Sequence, residues 1–248
     1  GRSNNGGKNW NWFTVKGFEK AEFRDIEAFD AGTAIIMALP VKDMEAQANI
    51  LKTTDGGETW RVVYENKTKG MFLDAMDFVG SEYGIVVGDP IDNKIFIAET
   101  FDGGNTWNEL GLEGKRALAD SGEAFFASSG TNIRLMINKD FYLVSGGTKS
   151  RLITRFGASY LPIIQGKETT GANSIDVYDK GNGKGSNKMV VVGGDFMADS
   201  SMKKNCFVST DGGKTWKAPK TPPHGYRSCV EFLSDKDILA CGLNGVDY

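Results

Sequence analysis

The sequence predicts an all-β chain, a β-propeller of four-stranded antiparallel blades, with material for about five blades in 248 residues. Three observations carry this. A glycine-centred octet is written three times almost unchanged. Counting two weaker copies, its central positions fall at 5, 55, 102, 156 and 211, in steps of 50, 47, 54 and 55 residues, a period that suits a blade. No stretch holds a helical period, and short apolar runs bounded by Gly, Asp and Asn read as strands and turns throughout.

The strong copies are Thr53-Thr54-Asp55-Gly56-Gly57-Glu58-Thr59-Trp60, Thr100-Phe101-Asp102-Gly103-Gly104-Asn105-Thr106-Trp107 and Ser209-Thr210-Asp211-Gly212-Gly213-Lys214-Thr215-Trp216. Asp-Gly and Gly-Gly supply the positive φ that a tight turn between antiparallel strands needs. The leading Ser or Thr and the Asp accept hydrogen bonds from turn amides. The Trp opens the outgoing strand and offers a flat apolar surface to wedge between sheets. The expected role is that of a staple, with no chemistry. Ser3-Asn4-Asn5-Gly6-Gly7-Lys8-Asn9-Trp10 keeps the frame in degenerate form, and Thr154 to Tyr160 resembles a copy shortened by one residue.

Between octets the modules also repeat. A strand such as Thr59 to Tyr64 follows each Trp. A first strand comes next: Phe23 to Phe29, Phe72 to Phe78, Ala172 to Tyr178, Tyr226 to Phe232 and, loosely, Phe126 to Asn132. A second strand ends in small residues, as in Ile85 to Asp89, Leu143 to Gly147, Val190 to Asp195 and Ile238 to Gly242. A third, such as Lys94 to Thr100 or Asn205 to Thr210, leads into the next octet. The glycine-rich Asp179 to Lys188 reads as a mobile hairpin loop, since the repeat resumes in phase after it. One domain over 1–248 is expected. Two endings stay open: Val246-Asp247-Tyr248 closes against the first strand of the chain to seal five blades, or the sequence is part of a ring of six or seven.

In a blade the first strand lies nearest the centre, and ligands of such folds use the face opposite the octets together with the channel mouth. That selects Arg24, Asp25, Asp74, Ser128, Asn173, Ser174, Arg227 and Ser228 from first strands, Asp89 and Asp195 from the ends of second strands, and His224 and Tyr226 from a preceding loop. Arginine forks clamp carboxylates, so Arg24 and Arg227 suit an acidic ligand or a peptide C-terminus; alternatively they neutralise Asp25 and Asp74. Asp89, before Pro90, also reads as a turn former.

The octets resemble the Asp-box, or bacterial neuraminidase repeat, Ser/Thr-x-Asp-x-Gly-x-Thr-Trp. Sialidases and other glycosidases carry it, which implies as an alternative a glycoside hydrolase using Asp25 with Asp74 or Asp89 as its carboxylate pair. The sialidase pattern is incomplete: Phe23-Arg24-Asp25-Ile26 lacks the proline of Phe-Arg-Ile-Pro, and no third arginine stands at an equivalent position. A resemblance covering nearly the whole chain is to the photosystem II stability/assembly factor-like proteins, through the octets, the Phe-Arg-Asp-Ile first strand and the Gly-Asp or Gly-Gly strand ends. It implies a seven-bladed, non-catalytic propeller whose arginine-lined patch recognises a partner polypeptide. The oxidoreductase label sometimes given to that family finds no dinucleotide fingerprint or Cys-x-x-Cys here.

Composition sets further bounds. A net charge of -3 with 25% charged residues describes an ordinary solvated surface without the basic bias of a nucleic-acid binder. No apolar run approaches the roughly 20 residues of a membrane-spanning helix. A periplasmic or secreted bacterial protein is expected. With one histidine and three cysteines, no metal site and no cofactor is expected. Cys206 stands apart; Cys229 and Cys241 fall on adjacent strands, where they either pair or remain buried free thiols. The expected partner is a protein, or an acidic or carbohydrate ligand.

Overall fold

The computed structural model describes residues 1–39, 48–114, 117–178 and 187–248. Of the expected loop from Asp179 to Lys188, only Asn187 and Lys188 lie within the described residues. Those residues hold no α-helix, and their strands form five antiparallel sheets. The first takes β1 (Glu22–Ala28), β2 (Ala34–Leu39), β3 (Ala48–Thr53) and β4 (Arg61–Asn66); the second β5 (Leu73–Val79), β6 (Tyr83–Ile91), β7 (Lys94–Thr100) and β8 (Asn108–Glu109). After β9 (Glu123–Ala124), the third takes β10 (Ile133–Leu135) and β11 (Phe141–Val144), passes over β12 (Gly146–Gly147), and adds β13 (Arg151–Thr154) and β14 (Ala158–Tyr160). The fourth is β15 (Thr170–Val177), β16 (Met189–Asp195) and β17 (Cys206–Ser209), with β12 and β9 on the β15 side. A lone bridge from Val208 to Lys217 stands for its fourth strand. The fifth is β18 (Cys229–Phe232), β19 (Ile238–Gly242) and β20 (Gly245–Asp247).

This is the expected propeller of antiparallel blades. The first strands β1, β5, β10, β15 and β18 touch in succession, and the apolar cores lie between consecutive blades. Ile35, Met37 and Ile50 pack on Met76, Val86 and Trp107. Ile85, Val87 and Ile97 pack on Leu135, Phe141 and Leu143. Val144 and Leu152 meet Ile175, Val191 and Phe207, and Val190 and Val192 meet Val230 and Ala240. Burial on both faces explains why second strands such as Ile85-Val86-Val87 are continuously apolar instead of alternating.

Two details differ from expectation. The first strand of the third blade is β10, after the segment Phe126 to Asn132 and not within it. That segment turns at Gly130, whose φ is +67, and a Cβ there would stand 2.6 Å from the Asp25 carboxyl, so only glycine fits. At the other end β20 pairs with β19 alone, and among the described residues no strand from the start of the chain pairs with it. The free faces of the end blades accordingly expose Phe23 and Ile26 on one side and Leu239, Val246 and Tyr248 on the other.

Candidate functional site

The octets are wired alike. In the first strong copy the Thr53 hydroxyl donates to Asp55 Oδ1 at 2.7 Å and accepts the Gly57 amide at 2.9 Å. Asp55 also accepts the Thr59 amide at 2.9 Å and the Thr59 hydroxyl at 2.5 Å. Asp102 and Asp211 repeat this with Thr106 and Thr215. The Thr59 and Thr215 hydroxyls, followed by their amides, hold Asp55 and Asp211 down to about 2. Asp102 reaches about 2 as well, since its bonds to Thr106 and Thr100 outweigh a desolvation that pushes upward. These carboxylates stay ionised and committed to their turns. The weak copy at the N-terminus is built the same way, Asn5 Oδ1 accepting from Ser3 and from the Asn9 amide at 3.0 Å each.

The first strands carry a second set of carboxylates. β5, β10 and β18 are edge strands with amides that no neighbouring strand takes up, and a side chain of the preceding blade supplies the acceptor. Asp25 Oδ2 accepts the Met76 amide at 2.8 Å, linking blades one and two. Asp77 Oδ2 accepts the Leu135 amide at 2.6 Å, linking two and three. Asp176 Oδ2 takes the Phe232 amide at 2.7 Å and the Ser174 hydroxyl takes the Val230 amide at 3.1 Å, linking four and five. Ladder irregularities between Phe23 and Ile26, Leu73 and Ala75, and Ala172 and Ser174 aim these side chains.

Burial dominates the acidity of Asp25, Asp77 and their carboxyl neighbours Glu27, Asp74 and Asp89. It raises Asp25 to about 7 against the pull of the Met76 and Ile26 amides, with the Asp77 charge adding to the rise. Glu27 rises to about 7 through burial, then through Asp77 and Asp25. Asp77 rises to about 6 through burial, opposed by the Leu135 amide. Asp74 is wholly buried and neither carboxyl oxygen has a hydrogen-bond partner; the Asp89 amide beside it donates to Phe72 O at 2.9 Å. Burial and then the Asp89 charge push Asp74 far above the usual range, against the pull of Arg24. Asp89, itself raised by burial, accepts the Phe125 amide at 2.9 Å.

Arg24 pairs with Glu22 at 2.5 Å in partial exposure and lies over the Phe72 ring, 5.5 Å from its centre. Arg227 is buried and donates to Asp247 Oδ2 at 2.6 Å, Tyr226 O at 2.8 Å and Asn244 Oδ1 at 2.6 Å. Its partner is Asp247, not the expected Asp25 or Asp74, and the two arginines share no partner. His224 Nδ1 meets the other Asp247 oxygen at 2.6 Å with its ring in solvent. Tyr226 donates to Asn173 Oδ1 at 2.6 Å, and Asn173 donates to Ser128 Oγ at 2.6 Å and to Ser228 O at 3.3 Å. Asp195 accepts from Thr169 at 2.8 Å and the Met197 amide at 3.1 Å, with Lys167 at 3.5 Å. The structure thus gathers Arg24, Asp74 and Asp89 in one group, Ser128, Asn173, Tyr226 and Ser228 in a second, and His224 and Arg227 around Asp247 in a third.

Residues 207–218 match the family model described as the BNR/Asp-box repeat. The chain carries an Asp-box. No curated protein matches it in sequence. It is similar to the structure of YCF48 bound to D1 peptide, at 15% identity over 94% of each chain and a TM-score of 0.32. It is similar also to YCF48 from Cyanidioschyzon merolae, at 13% identity over 92% of this chain and 94% of that one, TM-score 0.37. A third is Penicillium chrysogenum alpha-L-arabinanase complexed with arabinobiose, at 15% identity over 89% and 90%, TM-score 0.30.

Two Asp-boxes lean on the blade before them: a Cβ on Gly104 would strike Ile35 and one on Gly213 would strike Leu152, which fixes the second glycine of those copies by close approach as well as by φ. Trp107 is buried beside Phe78, and Trp60 and Trp216 are partly buried. Trp10, at 54% exposure, is the wedge with least to wedge against. Sequence reasoning missed Glu27, Asp77, Asp176 and Asp247. A signal existed for the first three: each is an acidic residue four positions after the residue that opens the first-strand register shift, Phe23, Leu73 and Ala172. Asp247 carried none. Among the described residues no helix is long and apolar enough to cross a membrane.

Proposed function

We propose that the chain is a non-catalytic binding scaffold, periplasmic or secreted, that holds a protein or an acidic ligand on the side of the arc lined by its first strands. One observation carries the reading: four of the carboxylates and the buried arginine of that region are spent on the fold. Asp25, Asp77, Asp89 and Asp176 accept amides of other segments, and Arg227 is saturated by Asp247, Asn244 and Tyr226. A glycosidase needs two carboxyls free to face a bond about 5 to 9.5 Å apart. Asp74, which has no hydrogen bond, is sealed from solvent.

Of the two arginines expected to meet a ligand, Arg24 is the one not buried. Its partner Glu22 is half-exposed, so an incoming carboxylate exchanges one acid for another, and the bidentate fork favours that ligand class. Acidic peptides with a free C-terminus, compared with their C-terminal amides by fluorescence anisotropy, test this. Binding that needs the free carboxylate and is lost in Arg24→Ala is expected; unchanged binding in that variant removes the patch. Turnover of aryl glycosides, sialosides included, that vanishes in Asp25→Asn or Asp74→Asn overturns the non-catalytic reading.

A further inference from the structure

Blade five holds two cysteines at directly opposed positions of one hairpin: Cys229 of β18 and Cys241 of β19 are register partners. Antiparallel register partners have Cα atoms about 4.5 or 5.5 Å apart, depending on the ladder position, and both values lie in the range that a disulfide spans. Both thiols are free, Cys241 exposed and Cys229 half-buried, and the Cys229 thiol lies within hydrogen-bonding reach of both the Cys241 thiol and the Thr131 hydroxyl. The blade they sit in has three strands, with an unpaired edge at β20.

We propose that Cys229 and Cys241 are a reversible redox pair, closing to a cross-strand disulfide by exchange with a small-molecule disulfide. The exposed Cys241 thiolate attacks one sulfur of the small disulfide, forming a mixed disulfide and releasing one small thiolate. Cys229, losing its proton to solvent, then attacks Cys241 Sγ and expels the second small thiolate. The protein's two thiols are oxidised, the small disulfide is reduced to two thiols, and the two protons released by the cysteines balance the two thiolates. Burial, opposed by Thr131 and reinforced by Cys241, makes Cys229 harder to ionise, which orders the steps with Cys241 first.

The pair adjoins the ties of the last two blades. Thr131 contacts Ser174 at 2.7 Å, and Ser174 accepts the Val230 amide at 3.1 Å. Ser228, one residue before Cys229, gives its carbonyl to Ser129 at 2.6 Å and to Asn173 at 3.3 Å. Closing the bond clips β18 to β19 beside that network. Cys206 is an internal control: buried in the adjoining core, its thiol is pushed up to about 12 by desolvation, with the Asp247 charge adding.

Equilibration of the folded protein in glutathione buffers of stepped redox ratio, acid quenching, and intact-mass and peptide mapping test the pair. The expected product is lighter by about 2 Da, as the loss of two hydrogens requires, with Cys229 and Cys241 peptides linked and Cys206 reduced. Cys229→Ser should instead accumulate glutathione on Cys241, and Cys241→Ser should react far more slowly than wild type. Wild type that accumulates the Cys241 adduct as Cys229→Ser does, or links Cys206 in place of either, overturns the proposal. So does wild type that stays fully reduced across the series.

Discussion

Replacing Glu27 by Gln isolates the cost of charge at the centre of the first two blades. Gln keeps the shape of the side chain and removes its titration. Folded Glu27 titrates near 7 against an ordinary value of 4.5, through burial, then Asp77 and Asp25, with Arg134 opposing. The folded state therefore keeps a proton that the unfolded chain has given up, and stability falls as pH rises from about 4.5 through 7. A rise of about 2.5 units at about 1.4 kcal/mol each sets a ceiling of roughly 3.4 kcal/mol. Glu27 is only half-buried and water screens it, so about 1–2 kcal/mol is expected to survive. Urea unfolding at pH 4.5 and pH 8 measures it. Wild type and Glu27→Gln should differ by a few tenths of a kcal/mol at the lower pH, and the variant should lead by about 1–2 kcal/mol at the higher. A difference that does not change with pH, or a variant less stable at pH 8, refutes the reasoning.

Asp176→Ala leaves the Phe232 amide and the Arg134 guanidinium, 2.8 Å from the lost carboxylate, without their acceptor. A loss of about 2–4 kcal/mol is expected, with faster amide exchange in β18 by mass spectrometry, and Asp176→Asn should recover part of it. Trp107→Ala empties a buried wedge and should cost about 3–5 kcal/mol, while Trp10→Ala, removing the same side chain from an exposed copy of the motif, should stay within about 0.5 kcal/mol. Thermal unfolding followed by circular dichroism ranks the two, and equal losses would contradict the wedge account.

How much of this was legible follows from where the partners are. An Asp-box closes its hydrogen bonds within four residues, so Asp55, Asp102 and Asp211 could be read from spacing alone, and they set the phase of every strand around them. The third blade lost that phase because its Asp-box is shortened and its first strand is preceded by a turn at Gly130, imposed by the Asp25 carboxyl from another blade. The ties between blades were illegible for a related reason. Asp25 reaches 51 residues to Met76, Asp77 reaches 58 to Leu135 and Asp176 reaches 56 to Phe232. The acceptor can be seen in the sequence, but the donor is a backbone amide that any residue supplies. Asp247 claimed Arg227 from the end of β20 with no repeat position to announce it.

The same residue type is thus run in two opposite regimes by one repeat. Hydroxyl and amide donors converging within a turn hold the Asp-box carboxylates at about 2. One or two amides against heavy desolvation leave Asp25 at about 7 and Asp77 at about 6. A pair of carboxyls so far apart in acidity is what general acid and nucleophile require when they share a substrate. Here the ionised set is folded into hairpins, while Asp25 and Asp77, which burial makes harder to ionise, lie in the seams between first strands, and no hydrogen bond joins the two among the described residues. Divergent acidity in this chain therefore records two structural duties, and under the binding function proposed above a ligand would be met by what those duties leave over: the half-exposed fork of Arg24, its partner Glu22, and the apolar ring of Phe72 beneath it.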